Sequence, residues 1–265
     1  NNHNIFTIGR SLECDHVVDY KNTNSISMYI SKIKPDVIIN LIAMTNVDEC
    51  EENPEKSHYV HVEIPKVIVR SIEMINDYDP HLIHISTDQV YSGKGPHFEV
   101  NPNPVNVYAS TKLEGERVFN ENFSTVIRTN FFGKSLIKKR DSFTDWLFKS
   151  AKSKESITVF NDVFFNPLNI RSLCSIINSI IEQKVLGVYN VGSNAVISKA
   201  DFALEFTKIL GISVEHIKIG KMADVNLKAI RPNDMTMDCS KIESKLSIKL
   251  PCIKSEIESE AKEYL

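Results

Sequence analysis

Tyr108 and Lys112 stand four residues apart in the segment PVNVYASTK, and Thr87 precedes them in STDQVYSG. On a helix, that spacing puts the phenol and the ammonium group on one face. A phenol with an ordinary pKa of about 10 is a weak acid at neutral pH, and a neighbouring cation that stabilises the tyrosinate makes it a better one. Lys112 supplies the cation. The pair suits addition of hydride to a ketone, in which the developing alkoxide needs a proton and a hydroxyl such as that of Thr87 can hydrogen-bond the carbonyl oxygen. Tyr-x-x-x-Lys alone is barely above chance, so its weight comes from context. A strand ending in Ser86-Thr87-Asp88 is followed by a loop rich in Pro and Gly, then by the helix that carries the pair.

The elements that must position these groups are legible as alternation. Strands are expected over residues 4–9, 36–42, 81–86 and 125–129, with helices over 25–33, 64–74 and 106–120 between them. Asn24 is the expected cap of the first helix and Pro65 marks a first turn or a kink of the second. The repeat predicts an α/β fold with a doubly wound parallel sheet, whose ligand crevice opens beyond the carboxyl ends of the strands. Thr45, Thr87 and Asn130 each fall just past such an end. Further on, helices are expected over 143–152, 170–182 and 198–210, strands over 157–160 and 187–191, and a charged helical tail over 253–264. These shorter elements read as a smaller C-terminal lobe, 134–160 with 196–265, closing over a main domain of 1–133 with 161–195.

Composition narrows the function classes. With 265 residues, 42% hydrophobic, 25% charged and a net charge of −3, the chain is an ordinary globular protein, and no basic block points to nucleic acid. Residues 37–44 form the longest apolar run, too short to span a bilayer. Five scattered cysteines without a Cys-x-x-Cys pair predict neither a metal site nor a disulfide framework, and fit a reducing cytoplasm.

The set Thr87, Tyr108 and Lys112 with its surroundings resembles the extended short-chain dehydrogenase/reductases, and most closely their dTDP-4-dehydrorhamnose reductase branch. PDVIINLIAMTNVDECEENPE at 35–55, VIRTNFFG at 126–133, NDVFFNP at 161–167, GVYNVG at 187–192 and RPNDMTMDCSKI at 231–242 extend the likeness over nearly the whole chain. It implies a Rossmann-type sheet and NADPH-dependent reduction of the 4-keto group of a nucleotide-linked deoxysugar, in surface polysaccharide or deoxysugar biosynthesis. By this resemblance Tyr108 is the acid, Lys112 holds the nicotinamide ribose and tunes Tyr108, and Thr87 orients the keto group. Leu41 and Ala43 border the cofactor, and Thr45, Val47, Asn130 and Phe131 line the substrate pocket. Arg231 meets the substrate diphosphate or forms a structural ion pair. Relatives of this kind form dimers, so a homodimer is expected.

Arg10 and Ser11 sit where a residue of the second strand meets the adenosine ribose, and an Arg there can pair with a 2′-phosphate, favouring NADP(H) over NAD(H). The family's glycine-rich dinucleotide loop has no counterpart among the nine dispersed glycines, and residues 4–9 align with the family's second strand. A first β-α unit upstream of Asn1 is therefore expected. Gln89 stands where related dehydratases carry a titratable acid, so dehydration is disfavoured. His61 takes no assigned role. Two other readings stay open: a non-catalytic NADP-binding subunit resembling the regulatory subunit of methionine adenosyltransferase, and a sugar-nucleotide epimerase.

Overall fold

The computed structural model describes residues 3–11, 13–19, 23–137 and 140–265. Two short strands, β1 (Ile8–Gly9) and β2 (His16–Val17), pair in parallel with Ile8 opposite His16. Of the strand expected over 4–9 only the last two residues pair, and their partner comes from the polar stretch that follows. Helix α1 (Asn24–Ile33) buries Ile26 and Ile30; it starts after Thr23, not at a capping Asn24, and ends at Lys34 in a left-handed conformation before Pro35.

After β3 (Val37–Asn40) come α2 (Val47–Glu52) and α3 (Pro54–His58), which runs through a π-helical turn, Tyr59–Glu63, into α4 (Ile64–Glu73). Pro65 explains the wide turn. It has no N–H to offer the carbonyl of His61 four residues earlier, and an added residue in the turn relieves its clash with that carbonyl. The freed carbonyl faces the next layer: a Cβ at Gly115 would lie 2.1 Å from the His61 oxygen, so glycine allows the two helices to close.

Strand β4 (His81–Ile85), α5 (Val107–Glu116) and β5 (Ser124–Thr129) form the centre, followed by β6 (Phe131–Phe132), α6 (Phe143–Ser153) and β7 (Ile157–Phe160). Next are β8 (Phe164–Phe165), β9 (Leu168–Asn169), α7 (Ile170–Glu182) and β10 (Gly187–Val191). The chain closes with β11 (Ile197–Ser198), α8 (Lys199–Ile209), β12 (Ile217–Gly220), α9 (Ser240–Leu246) and α10 (Ile253–Ala261).

The main sheet is parallel, in the order β10-β5-β4-β3. Every residue of β4 and β5 is buried, as the apolar runs of a sheet covered on both faces require. On one face Leu82 and Val126 meet Ile26, Ile30, Ile64 and Ile68 of α1 and α4. On the other, Ile83, Ile127 and Val191 meet Leu173, Ile176 and Ile180 of α7 and Ile242 of α9. Burial of each such side chain stabilises the fold by about 2–3 kcal/mol. A further core gathers Leu147, Val159, Phe202, Phe206 and Ile257 from α6, β7, α8 and α10. The doubly wound arrangement directs residues 41–46, 86–88 and 130, beyond the carboxyl ends of β3, β4 and β5, toward one crevice.

Candidate active site

Past the end of β4, Thr87 caps a short 3-10 turn, Asp88–Val90: its Oγ1 accepts the Gln89 N–H at 3.2 Å and its hydroxyl donates to Asp88 Oδ1 at 3.2 Å. The second carboxylate oxygen of Asp88 accepts from Asn130 Nδ2 at 2.7 Å, so the residue after β5 is tied to the residue after β4. Burial lifts the Asp88 carboxyl to about 6, against the hydrogen bonds and the positive charge of Lys199, which lower it.

Helix α5 starts where Asn106 caps it. Asn106 Oδ1 accepts the Ala109 N–H at 2.8 Å, and Asn106 Nδ2 donates to the Ile230 carbonyl at 2.8 Å, which binds the helix start to the C-terminal part of the chain. Tyr108 follows, its ring packed among Met44, Val47, Cys50 and Ala229 and edge-on to His61, with centroids 5.5 Å apart. Burial pushes the phenol up to about 12; the neighbouring Thr87 hydroxyl opposes this, while the charges of Asp88 and Cys50 add to it. Lys112 lies one turn deeper and donates to the Ile85 carbonyl at 2.7 Å. Burial brings its ammonium down to about 8, with Glu116 opposing.

His61 is held neutral, pushed down to about 3 by burial and by Lys112. Its Nε2 accepts the Met44 N–H at 3.0 Å, so the ring proton sits on Nδ1 and is donated to Thr111 Oγ1 at 2.8 Å. A residue given no role from sequence therefore fixes the backbone just before Thr45 and joins it to α5.

The other expected site residues divide by position. Val47 packs against Tyr108, while Thr45 is exposed and accepts a hydrogen bond from Arg140 of the chain segment before α6. Arg231 pairs with Asp48 at 3.0 Å, and the Asp48 carboxyl, which also accepts the Ala229 N–H at 3.0 Å, is held below the usual carboxylate range chiefly by that N–H and also by Arg231. Phe131 is 49% exposed beside Asn130. Leu41 is exposed and Ala43 half-buried beyond β3. Arg10 and Ser11 follow β1 on the small sheet and are exposed; Ser11 is in a turn, its carbonyl accepting from Cys14 N–H at 3.1 Å. Thr87 and Tyr108 thus come together, with Val47 and Asn130 at their sides and Lys112 beneath.

Sequence reasoning passed over Asp88, Arg140 and Lys199. Asp88 carried a signal, being the neighbour of Thr87 in a strand-end motif. Lys199, at the start of α8, carried none, because only the folded chain brings its charge to Asp88. Among the described residues no helix is long and apolar enough to cross a membrane.

Comparison with known proteins places this geometry. The family described as RmlD substrate binding domain matches residues 2–265. A dTDP-4-dehydrorhamnose reductase from Shigella flexneri is 27% identical over 252 residues, covering 89% of this chain and 82% of its own length. Among solved structures, a hypothetical dTDP-4-dehydrorhamnose reductase from Sulfolobus tokodaii is 30% identical with a TM-score of 0.83, over 94% of this chain and 89% of that one. The fold is shared by a dTDP-4-dehydrorhamnose reductase from Bacillus anthracis solved in complex with NADP, at a TM-score of 0.85 and 23% identity over 93% and 87% of the two chains. The chain belongs to the RmlD substrate binding domain family.

Proposed function

We propose that the protein is an oxidoreductase that reduces the 4-keto group of a nucleotide-linked deoxysugar with NADPH. The observation that carries this reading is the Tyr108 phenol with the Thr87 hydroxyl beside it, past the carboxyl end of the central strand β4, with Lys112 one turn below. Relatives named dTDP-4-dehydrorhamnose reductase, one of them holding NADP, support the substrate class and the cofactor. In this reading residues 1–133 and 161–195 bind the dinucleotide, and 134–160 with 196–265 form the substrate lobe.

The crevice residues fit the cofactor. The Lys112 ammonium has three N–H bonds, and the Ile85 carbonyl takes one, which leaves donors for a ribose hydroxyl. Leu41 and Ala43 present apolar surface beyond β3, and Arg10 supplies the cation for a 2′-phosphate. When bound, the dinucleotide supplies the hydride. Thr87 orients the keto oxygen, and Tyr108 hands its proton to the oxygen as it becomes an alkoxide, with Lys112 one turn below as the cation of the same helix. Val47 and the Tyr108 ring exclude water from one side, and Arg231 with Arg140 places cations at the rim where a diphosphate would lie. Gln89 offers no titrating group for elimination of water.

The test is oxidation of NADPH by the protein with a dTDP-4-keto-6-deoxyhexose. The expected result is one NADPH consumed per C4 alcohol formed, with NADH a poorer donor. Interconversion of sugars without net consumption of NADPH would contradict the reductase reading in favour of epimerisation. Absence of saturable NADPH binding would contradict it in favour of a non-catalytic subunit.

A further inference from the structure

A run of polar groups leads away from the phenol. The Thr87 hydroxyl stands beside the Tyr108 phenol and holds its pKa down, the same hydroxyl donates to Asp88 Oδ1 at 3.2 Å, and Asn130 Nδ2 fixes Asp88 Oδ2 at 2.7 Å. Asp88 is 1% exposed, a carboxyl with one hydroxyl between it and the proton donor of the reaction. The groups facing it are Thr87 from its own turn, Tyr108 from α5, Asn130 from the end of β5 and Lys199 from α8; Cys50 of α2 acts on the phenol at the other end. The Lys199 ammonium lies 3.4 Å from the centroid of the Phe165 ring and 4.8 Å from that of Phe143, held by these aromatic faces, from where its charge acts on Asp88. Burial brings both partners toward neutral pH, the carboxyl up to about 6 and the ammonium down to about 8.

We propose that Asp88 returns a proton to Tyr108 through the Thr87 hydroxyl after each turnover, with Lys199 the cation that faces Asp88. This rests on the reductase reading above. When the alkoxide takes the proton of Tyr108, the O–H bond of the phenol breaks and a tyrosinate remains. With Asp88 protonated, its carboxyl donates to Thr87 Oγ1 and the single Thr87 hydroxyl proton turns from Asp88 to the tyrosinate; that proton then moves to the tyrosinate oxygen while the proton of the Asp88 carboxyl moves to Thr87 Oγ1. Nothing is oxidised or reduced in this step. Asp88 ends as a carboxylate and takes its next proton from water. Asp88 and Lys199 are positioning and relay groups, acting on the substrate only through Thr87 and Tyr108.

The relay makes the first turnover different from the rest. In Asp88→Asn the amide keeps the shape and can accept from Thr87, and Tyr108 starts protonated. With enzyme in excess, its single-turnover oxidation of NADPH is expected at the wild-type rate, while steady-state kcat falls by about tenfold or more, as loss of an acid–base partner does. Asp88→Glu, which keeps a carboxyl, restores part of the steady-state rate. In the wild type kcat falls as pH rises through the Asp88 pKa, and in Lys199→Met, where the cation that favours the carboxylate is gone, this limb moves to higher pH. Equal slowing of single and multiple turnovers in Asp88→Asn, or no slowing of either, would overturn the relay. If the wild-type protein oxidises no NADPH, the reductase reading fails separately. The coupling is then read by infrared titration of the protonated carboxyl band, expected to vanish in Asp88→Asn and to titrate higher in Lys199→Met, and a band insensitive to both variants would overturn it.

Discussion

Two buried polar layers meet α5, one at each end, and they differ in how fully their atoms are paired. Near the last turn, Glu116 takes two bonds from Arg128 Nε at 3.1 Å, one from Arg128 Nη2 at 2.7 Å and one from Ser86. Arg128 Nη1 donates to Tyr91 Oη at 2.8 Å and to the Glu99 carbonyl at 2.7 Å, and Tyr91 donates to Asn190 Oδ1 at 2.7 Å. Around the first turn, the layer of Tyr108, Thr87 and Asp88 includes atoms without partners: Gln89 Oε1 nearby and Arg231 Nη1 at the rim are buried and accept or donate nothing. Buried polar atoms in folded proteins are nearly always paired, so these two are atoms that a ligand can satisfy; His81 Nδ1, His84 Nε2, Thr129 Oγ1 and Thr236 Oγ1 are unpaired elsewhere. The saturated layer ties β5 to α5, and the other borders the crevice.

Breaking the saturated layer should give the largest loss of stability. Glu116→Ala leaves the Arg128 guanidinium buried without its carboxylate, and the expected cost is about 3–5 kcal/mol, measured by urea denaturation. An unchanged unfolding midpoint would show that this layer does not support the fold. The contrasting arginine, Arg231, pairs at the partly exposed rim, and Arg231→Ala should cost only about 0.5–1 kcal/mol in the same measurement. Its larger effect is expected on the KM for the nucleotide sugar. A variant with normal KM and a large stability loss would move Arg231 into the structural class.

Between these two in size is an effect of pH. His61 titrates at about 3 in the folded chain against about 6.5 when unfolded, so between those values the unfolded state binds the extra proton. Stability should therefore fall as pH falls from about 6.5 toward 3, by up to about 1.4 kcal/mol per unit from this residue. His84, also held well below its usual range by burial, acts in the same direction. His61→Asn should flatten the dependence, seen as a smaller drop in urea midpoint between pH 7 and pH 5. An equally steep drop in that variant would mean that other groups carry it.

Much of the fold could be read from the chain because its helices are amphipathic and its central strands are apolar on both faces. The residues expected for α7, β7 and β10 are those that form them, and Thr87, Tyr108 and their crevice followed from strand ends and a helix spacing. The misses have local causes. β1 and β2 are two-residue ladders, too short for a period to show. The π turn at Tyr59–Glu63 depends on Pro65 together with the approach of Gly115 from another helix, a tertiary matter. The Asp88–Lys199 relation joins a turn after β4 to α8, distant in the chain, and no local pattern encodes it. The influence of Lys112 on Tyr108, the expectation with the simplest sequence basis, is also the least direct in the fold. Its ammonium is bonded to the Ile85 carbonyl, and its charge acts on His61 and His84.

Tyr108→Phe isolates the claim that the unsaturated layer does the chemistry. The substitution removes one hydroxyl from a ring that stays packed among Met44, Val47 and Cys50. The measurement is kcat for NADPH-dependent reduction of a 4-keto nucleotide sugar, taken alongside the thermal midpoint of the same preparation. The account predicts a fall in kcat of about 100-fold or more with the midpoint nearly unchanged. Full turnover in Tyr108→Phe would contradict it.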